Sequence, residues 1–201
     1  MSKTYKLALA AVLTGIGVAL NVCSISTGTF LGRVSFVYSF CYLAGVYLGP
    51  LGGCLVAMLA DVLQCLFFPQ PGPYVVFLTI SNGLIAAFCG IGFKYFKKLG
   101  PELGMLIGAV LGYFICSAGI SAFGEALMLF NIYPYTFAKL IGAGLGFDVA
   151  NATLGQKFVM MSISKLATQW AWIIMNYIIT LVIYESTKVI VLKKKKVKSK
   201  A

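Results

Sequence analysis

Six long apolar runs in this chain of 201 residues decide which solvent it can fold in. Hydrophobic residues make up 60% of the chain and charged residues 10%, and the mean hydropathy is +0.94. A soluble domain of this size could not bury so much apolar surface, because its outer face has to be polar. An apolar helix of about 20 residues instead matches the thickness of a bilayer. The runs therefore predict an all-α integral membrane protein of about six transmembrane helices.

Glycine and proline mark several boundaries between these segments. The six segments extend over residues 5–23, 34–48, 51–68, 74–93, 102–130 and 158–190. Gly49 and Pro50 separate the second segment from the third, because proline removes a helical donor and fixes φ. We expect residues 1–192 to form one membrane bundle and residues 193–201 to form a basic cytoplasmic tail.

The distribution of basic residues predicts which helix ends face the cytoplasm. With a cytoplasmic N-terminus, six spans place 12 lysines on the inside, including the six lysines of the tail. The outside then holds 3 basic residues, Arg33, Lys139 and Lys157. This difference agrees with the positive-inside rule, so both termini are expected in the cytoplasm.

The same orientation defines three outer loops, residues 24–33, 69–73 and 131–157. The third loop is long, and its fairly apolar stretch 137–150 contains three glycines. This stretch is too short to cross a bilayer. We therefore expect it to fold back as a lid or a re-entrant piece.

Charge and motifs exclude several other classes of protein. The net charge of +11 comes from lysines at helix ends, which is typical of contact with an anionic leaflet and not of nucleic-acid binding. Histidine is absent, and the six cysteines lie in or beside apolar segments without C-x-x-C spacing, so no metal site or other cofactor is predicted. The chain lacks a phosphate-binding loop and a catalytic triad. An enzyme is therefore not expected.

Polar residues in the outer halves of the apolar segments are the candidate binding groups. An ionised side chain that faces lipid is costly, so Asp61, Glu125 and Lys165 should face the interior of the bundle. Lys165, Gln169, Trp172 and Asn176 are spaced to share one face of segment six. The full set of candidate substrate contacts is Arg33, Phe77, Thr79, Asn82, Ser121, Glu125, Lys165, Gln169, Trp172 and Asn176. An externally open pocket with aromatic and polar walls would suit a small molecule.

Structural alternatives exist for the same residues. Lys165 could form an ion pair with Asp61 or with Glu125 that only stabilises the bundle. Gln169 and Asn176 could serve as hydrogen bonds between helices. Arg33 has a fork that suits a ligand carboxylate, but it could also anchor the helix at the membrane surface.

Small residues recur every fourth position in two segments. Ala11, Gly15 and Ala19 form one ridge in segment one, and Gly53 and Ala57 form another in segment three. Such ridges allow two helix backbones to approach closely. They could face a partner protein or pack inside the bundle.

Residues 33–92 carry a pattern that resembles a known family. The matching marks are Arg33, the turn Leu48-Gly49-Pro50, the run Ala57 to Asp61, Phe68-Pro69, Gly72-Pro73-Tyr74 and the run Thr79 to Gly83. As an ensemble they resemble the folate family of substrate-binding S components of energy-coupling factor (ECF) transporters. The number of helices and the chain length also agree.

The resemblance implies a multi-pass subunit of a bacterial cell membrane that captures a vitamin, with a folate-like compound favoured, from outside. A transmembrane coupling subunit and two ATPase subunits would then supply the energy. A pterin ring would stack on Trp172 or Phe77, and Arg33 or Lys165 would lie nearer the glutamate carboxylates. The small-residue ridges would meet the coupling subunit. The alternative is a stand-alone secondary transporter or channel that uses Asp61, Lys165 and Glu125 as a relay.

Overall fold

The computed structural model describes residues 3–26, 33–68, 74–96, 100–130 and 136–198 of the chain. Its helices are α1 (Lys3–Val22), α2 (Val37–Phe67), α3 (Val76–Tyr95), α4 (Pro101–Gly112), a π-helix (Tyr113–Ser121), α5 (Ala122–Met128), α6 (Thr136–Gly144), α7 (Leu154–Thr168) and α8 (Trp170–Lys198). Two short strands, β1 (Ile25–Ser26) and β2 (Arg33–Val34), pair antiparallel in the first outer loop. The predicted helical membrane architecture is confirmed.

Helix α2 is a hairpin of two helical arms. Gly49 adopts φ 82° and ψ 176°, a left-handed conformation that favours glycine, and Pro50 begins the second arm. A Cβ atom built on Gly53 would lie 2.6 Å from the Cα of Gly45, whereas eight residues of straight helix would separate these positions by about 12 Å. The two arms therefore fold back on each other, as the Gly-Pro boundary predicts.

Long apolar helices account for the membrane spans. Among the described residues, four helices are long and apolar enough to cross a bilayer: α1, α2, α3 and the continuous run Pro101–Met128, which joins α4, the π-helix and α5. The bent pair α7–α8 makes a fifth. One of the four is the α2 hairpin, which supplies two of the predicted segments, so all six segments occur among the described residues. The first arm, from residue 37 to the Gly49 turn, is only about 18 Å long and cannot span alone.

Segment six is not the single helix over 158–190 that its hydropathy predicts. It begins at Leu154, where the Thr153 and Gln156 side chains form a capping box, and it bends by 52° at Gln169 between α7 and α8. The hydroxyl of Tyr113 donates to the carbonyl of Lys165 at 2.5 Å. Just before the bend, this carbonyl therefore accepts a hydrogen bond from outside its own helix. The expectation that four polar residues lie on one face of a straight helix is therefore wrong.

Outer loop 131–157 contains α6, which folds back against α7. Gly142 of α6 lies against Met160, since a Cβ atom at Gly142 would meet the Met160 sulfur at 2.1 Å. Between the two helices, Asp148 accepts hydrogen bonds from the Asn151 side chain at 2.9 Å and the Ala150 amide at 3.1 Å. These bonds favour the carboxylate and lower the pKa of Asp148.

Buried apolar residues form two separate clusters. The main core joins α1, α2, α3 and α4 around residues such as Leu13, Phe40, Ile85 and Met105. The second core joins α5, α6 and α7; its buried members are Ala122, Ala126, Phe130, Ala138, Ala152, Met160 and Met161. The chain passes from one core to the other through the π-helix and through the bend at Gln169.

The two small-residue ridges have different positions in the bundle. Ala11, Gly15 and Ala19 are exposed along α1, and a Cβ atom at Gly15 would have no neighbour within 4 Å. Gly53 is instead buried against Gly45, and Ala57 is only 2% exposed. Burial corrects the expectation of a partner-facing ridge at Gly53 and Ala57, because close packing of the α2 hairpin already uses both residues.

Candidate functional site

Lys165 lies at the centre of a charged group between the π-helix, α5 and α7. Its Nζ atom is 2.8 Å from Oε1 of Glu125 and donates to Oγ of Ser121 at 2.6 Å. The Lys165 and Glu125 side chains are only 9% and 13% exposed. Of the two ion pairs considered for Lys165, the structure contains the one with Glu125.

The π-helix places a row of polar groups against α7 and the bend. Ser117 donates to the Gln169 side chain at 3.1 Å and shares a hydrogen bond with the Tyr38 hydroxyl at 3.0 Å. Ser162 of α7 donates to the carbonyl of Ala118 at 2.8 Å. A π-helix is wider than an α-helix, and such irregular turns are common at functional sites. We call the group Tyr38, Ser117, Ser121, Glu125, Lys165 and Gln169 the polar seam.

A second polar group joins α2 to α3. Asp61 accepts hydrogen bonds from the Thr79 hydroxyl and, at 3.2 Å, from the Asn82 amide. Tyr74 shares a hydrogen bond with Thr79. Thr79 and Asn82 therefore contact Asp61, and the predicted site residues fall into more than one group.

Asn176 is fully engaged within the protein. Its Oδ1 atom accepts from the Ser39 amide at 2.9 Å and from the Ser39 hydroxyl at 2.7 Å. Its Nδ2 atom donates to the carbonyls of Ser35 at 3.0 Å and Trp172 at 2.7 Å. The side chain is 0% exposed. This placement supports the alternative that Asn176 forms hydrogen bonds between helices, here between α2 and α8.

Aromatic residues border the seam. The Phe77 ring packs edge-on to Phe123 at 5.7 Å between centroids and lies against Gly124, so it connects α3 to α5. Trp170 lies 5.9 Å from the Tyr113 ring and is 42% exposed, whereas Trp172 is half-buried. The backbone of Arg33 pairs with Ser26 in the first outer loop, and the side chain of Arg33 lies outside the described part of the structure.

A protein-family model supports the interpretation of these features. The model described as "ECF-type riboflavin transporter, S component" matches residues 1–161. The chain belongs to this family. Searches among curated proteins and among solved structures gave no match.

Family membership shows the class of this protein, an S component, but does not by itself identify its ligand. The predicted class, a substrate-binding membrane subunit of an ECF transporter, is confirmed, and the family is one of transporter subunits and not an enzyme family. The folate subtype is not the one that the family description names. The match ends within α7, so Lys165 and Gln169 lie beyond the matched residues.

Several members of this S component's polar groups were not among the predicted site residues. Tyr38 and Ser39 follow the first outer loop directly, and both contact residues of later helices. Tyr113 contacts the Lys165 carbonyl. Hydroxyl-bearing residues inside an apolar segment are a usable signal, but their partners lie 52 to 137 positions away in the chain.

Proposed function

We propose that this S component binds riboflavin or a closely related flavin on its outer side. It then delivers the vitamin across a bacterial plasma membrane together with a coupling subunit and two ATPase subunits. The family description supports this ligand, and the lack of a phosphate-binding loop in the chain is consistent with separate ATPases.

The ion pair in the polar seam is the observation that favours a neutral ligand. Lys165 is already within 2.8 Å of Glu125, so its charge is compensated inside the protein. A ligand carboxylate placed at Lys165 would also approach the Glu125 carboxylate, and like charges at short range repel. Riboflavin carries hydroxyl and ring groups that need only hydrogen bonds, whereas folate carries two carboxylates. The balanced charge of the seam therefore favours riboflavin.

Gln169 and the aromatic residues beside it are our choice for the flavin contacts. The Gln169 amide lies at the bend, where it accepts one hydrogen bond from Ser117. An amide has two donors and two acceptor positions, so it can bond a ligand ring edge as well. The half-buried Trp172 would supply a flat apolar surface for the ring.

Folate is the second candidate, because residues 33–92 resemble the folate family. In that case Arg33, on the first outer loop, would have to bind the glutamate carboxylates. The alternative of a stand-alone ion or proton relay is not favoured, since Glu125 and Lys165 pair with each other and the family match describes a transporter subunit.

Tryptophan fluorescence can test the ligand directly. The two tryptophans of the chain, Trp170 and Trp172, both lie in the first turn of α8, directly after the bend at Gln169. We expect riboflavin to quench their emission in the purified protein, with an affinity that changes little with salt because the ligand is neutral. Folate should not quench it. Tight, salt-sensitive binding of folate without riboflavin binding would overturn this assignment.

A pair of neighbouring variants tests the contact at Gln169. Gln169→Leu should weaken riboflavin binding by about tenfold, the equivalent of one hydrogen bond. The control Thr168→Val removes a hydroxyl that bonds within its own helix, to the carbonyl of Ser164 at 2.8 Å, and should leave affinity unchanged. Equal affinities in both variants would remove Gln169 from the site.

A further inference from the structure

A cavity of about 370 Å³ lies at the opposite end of the bundle from the polar seam. Its walls come from the start of α1, the turn of the α2 hairpin and the end of α3, and they include Lys6, Gly49 and Lys94. Close contact between Gly45 and Gly90 closes its floor, since a Cβ atom at Gly90 would lie 2.7 Å from the Gly45 carbonyl oxygen. By the charge distribution of the sequence, this end faces the cytoplasm.

Among the described residues, no carboxylate neutralises the two lysines of this cavity. All five acidic residues lie in the described part of the structure, and each has another partner. Glu125 pairs with Lys165; Glu102 and Glu185 pair with Lys188; Asp61 contacts Thr79 and Asn82; Asp148 contacts Asn151. Within the described residues, no acidic side chain therefore remains for Lys6 or Lys94.

The surroundings of the cavity are apolar and exposed. Leu7 is 73% exposed, Leu51 is 82% exposed and Tyr95 is 70% exposed. In a bilayer these side chains contact acyl chains, while the two ammonium groups lie near the level of the headgroups. Lys94 Nζ lies 5.6 Å from the centroid of the Tyr95 ring, but no described carboxylate neutralises either lysine. A concave site with two such cations above an apolar rim matches the shape and charge of an anionic phospholipid.

We propose that this cavity binds the phosphate headgroup of an anionic phospholipid from the cytoplasmic leaflet. Lys6 and Lys94 would contact the phosphodiester, and the acyl chains would run along the exposed side chains of α1 and the second arm of α2. A headgroup held there bridges α1 and α3 beside the hairpin turn. The site is independent of the vitamin, and it rests on the predicted cytoplasmic position of this end.

Native mass spectrometry of the purified protein with phosphatidylglycerol tests the proposal. Wild-type protein should retain one phosphatidylglycerol tightly and should bind phosphatidylcholine weakly. The double variant Lys6→Gln/Lys94→Gln should bind phosphatidylglycerol about 30-fold more weakly, because each basic contact near an anionic headgroup contributes about 1 kcal/mol. Val46→Phe fills the cavity without a change of charge and should also weaken binding.

A matched control separates the cavity from the overall charge. Lys194→Gln/Lys196→Gln removes two charges from the basic C-terminal run and should retain the wild-type affinity for the first lipid. Equal loss in both double variants would show nonspecific attraction and overturn the proposal. Glycerol 3-phosphate that binds as tightly as the lipid would also overturn it, in favour of a soluble phosphate. So would a Lys6→Gln/Lys94→Gln variant that keeps the lipid but no longer co-purifies with the coupling subunit.

Discussion

The main core and the second core are built by different physical means. In the main core, glycines let backbones touch, as where Gly45 meets Gly53 and Gly90. In the second core, the short helix α6 packs on α7. The polar side chains of the polar seam lie next to this core, between the π-helix and α7. Close packing leaves no room for a ligand inside the main core, whose cavity opens only beside the hairpin turn, whereas the polar seam offers groups that can exchange one hydrogen-bond partner for another. The difference teaches that ligand-binding groups lie outside the part of the bundle in which glycines bring the helix backbones into contact.

The largest effect is expected from a side chain placed in the main core. A Cβ atom at Gly45 would lie 2.1 Å from the Ala86 carbonyl oxygen, so Gly45→Val should lower the free energy of unfolding by about 3 kcal/mol or prevent folding. Thermal unfolding in detergent measures this loss. The control Gly15→Ala, at a helical site without neighbours, should raise stability by up to about 1 kcal/mol. Unchanged stability of Gly45→Val would contradict the close approach of the first arm of α2 to α3.

An effect of similar size, but without loss of folding, is expected in the polar seam. Lys165→Met removes one partner of a largely buried ion pair and should cost about 3 kcal/mol, close to the lower limit for such changes. The double variant Lys165→Met/Glu125→Met should recover most of this loss, because no unpaired charge remains. Lys188→Met is the control, since the Lys188 side chain is 45% exposed and its pairs should contribute less than about 1 kcal/mol. A double variant no more stable than Lys165→Met would argue against the pair.

The link between α2 and α8 should respond more moderately. Asn176→Leu removes the side-chain donor to the Ser35 carbonyl. It also leaves the Ser39 amide with only the Phe36 carbonyl at 3.1 Å, so it should cost about 2 kcal/mol. The exposed Asn151→Leu serves as control and should cost less than about 1 kcal/mol, because its side-chain hydrogen bond lies at the surface. Riboflavin titration of folded Asn176→Leu should give wild-type affinity. A large loss of affinity with unchanged stability would return Asn176 to the ligand site.

Sequence reasoning succeeded where the cause of a structure is local. Gly49 and Pro50 are adjacent, and their combination predicts the turn of the α2 hairpin. The bend at Gln169 has no glycine or proline beside it, and a hydrogen bond from Tyr113 to the carbonyl of Lys165, 52 positions later in the chain, accompanies it. The π-helix likewise shows no local signature. Lys165 was recognised as important, but the choice between Asp61 and Glu125 depended on how distant helices pack.

The smallest effect on stability is expected at the exposed ridge of α1. Ala19→Leu should change the free energy of unfolding by less than about 0.5 kcal/mol, because Ala19 is exposed on α1. Ala57→Leu adds the same atoms to a residue that is 2% exposed and should cost about 2 kcal/mol.

The two ridges then differ in a second measurement, the amount of coupling subunit that co-purifies with the S component. We expect Ala19→Leu to reduce co-purification while riboflavin binding stays unchanged, because a bulky side chain separates helices that small residues allow to touch. A folded Ala57→Leu should retain its partner. If Ala19→Leu assembles normally and Ala57→Leu does not, the partner contacts the α2 hairpin, and the exposed ridge of α1 faces lipid alone.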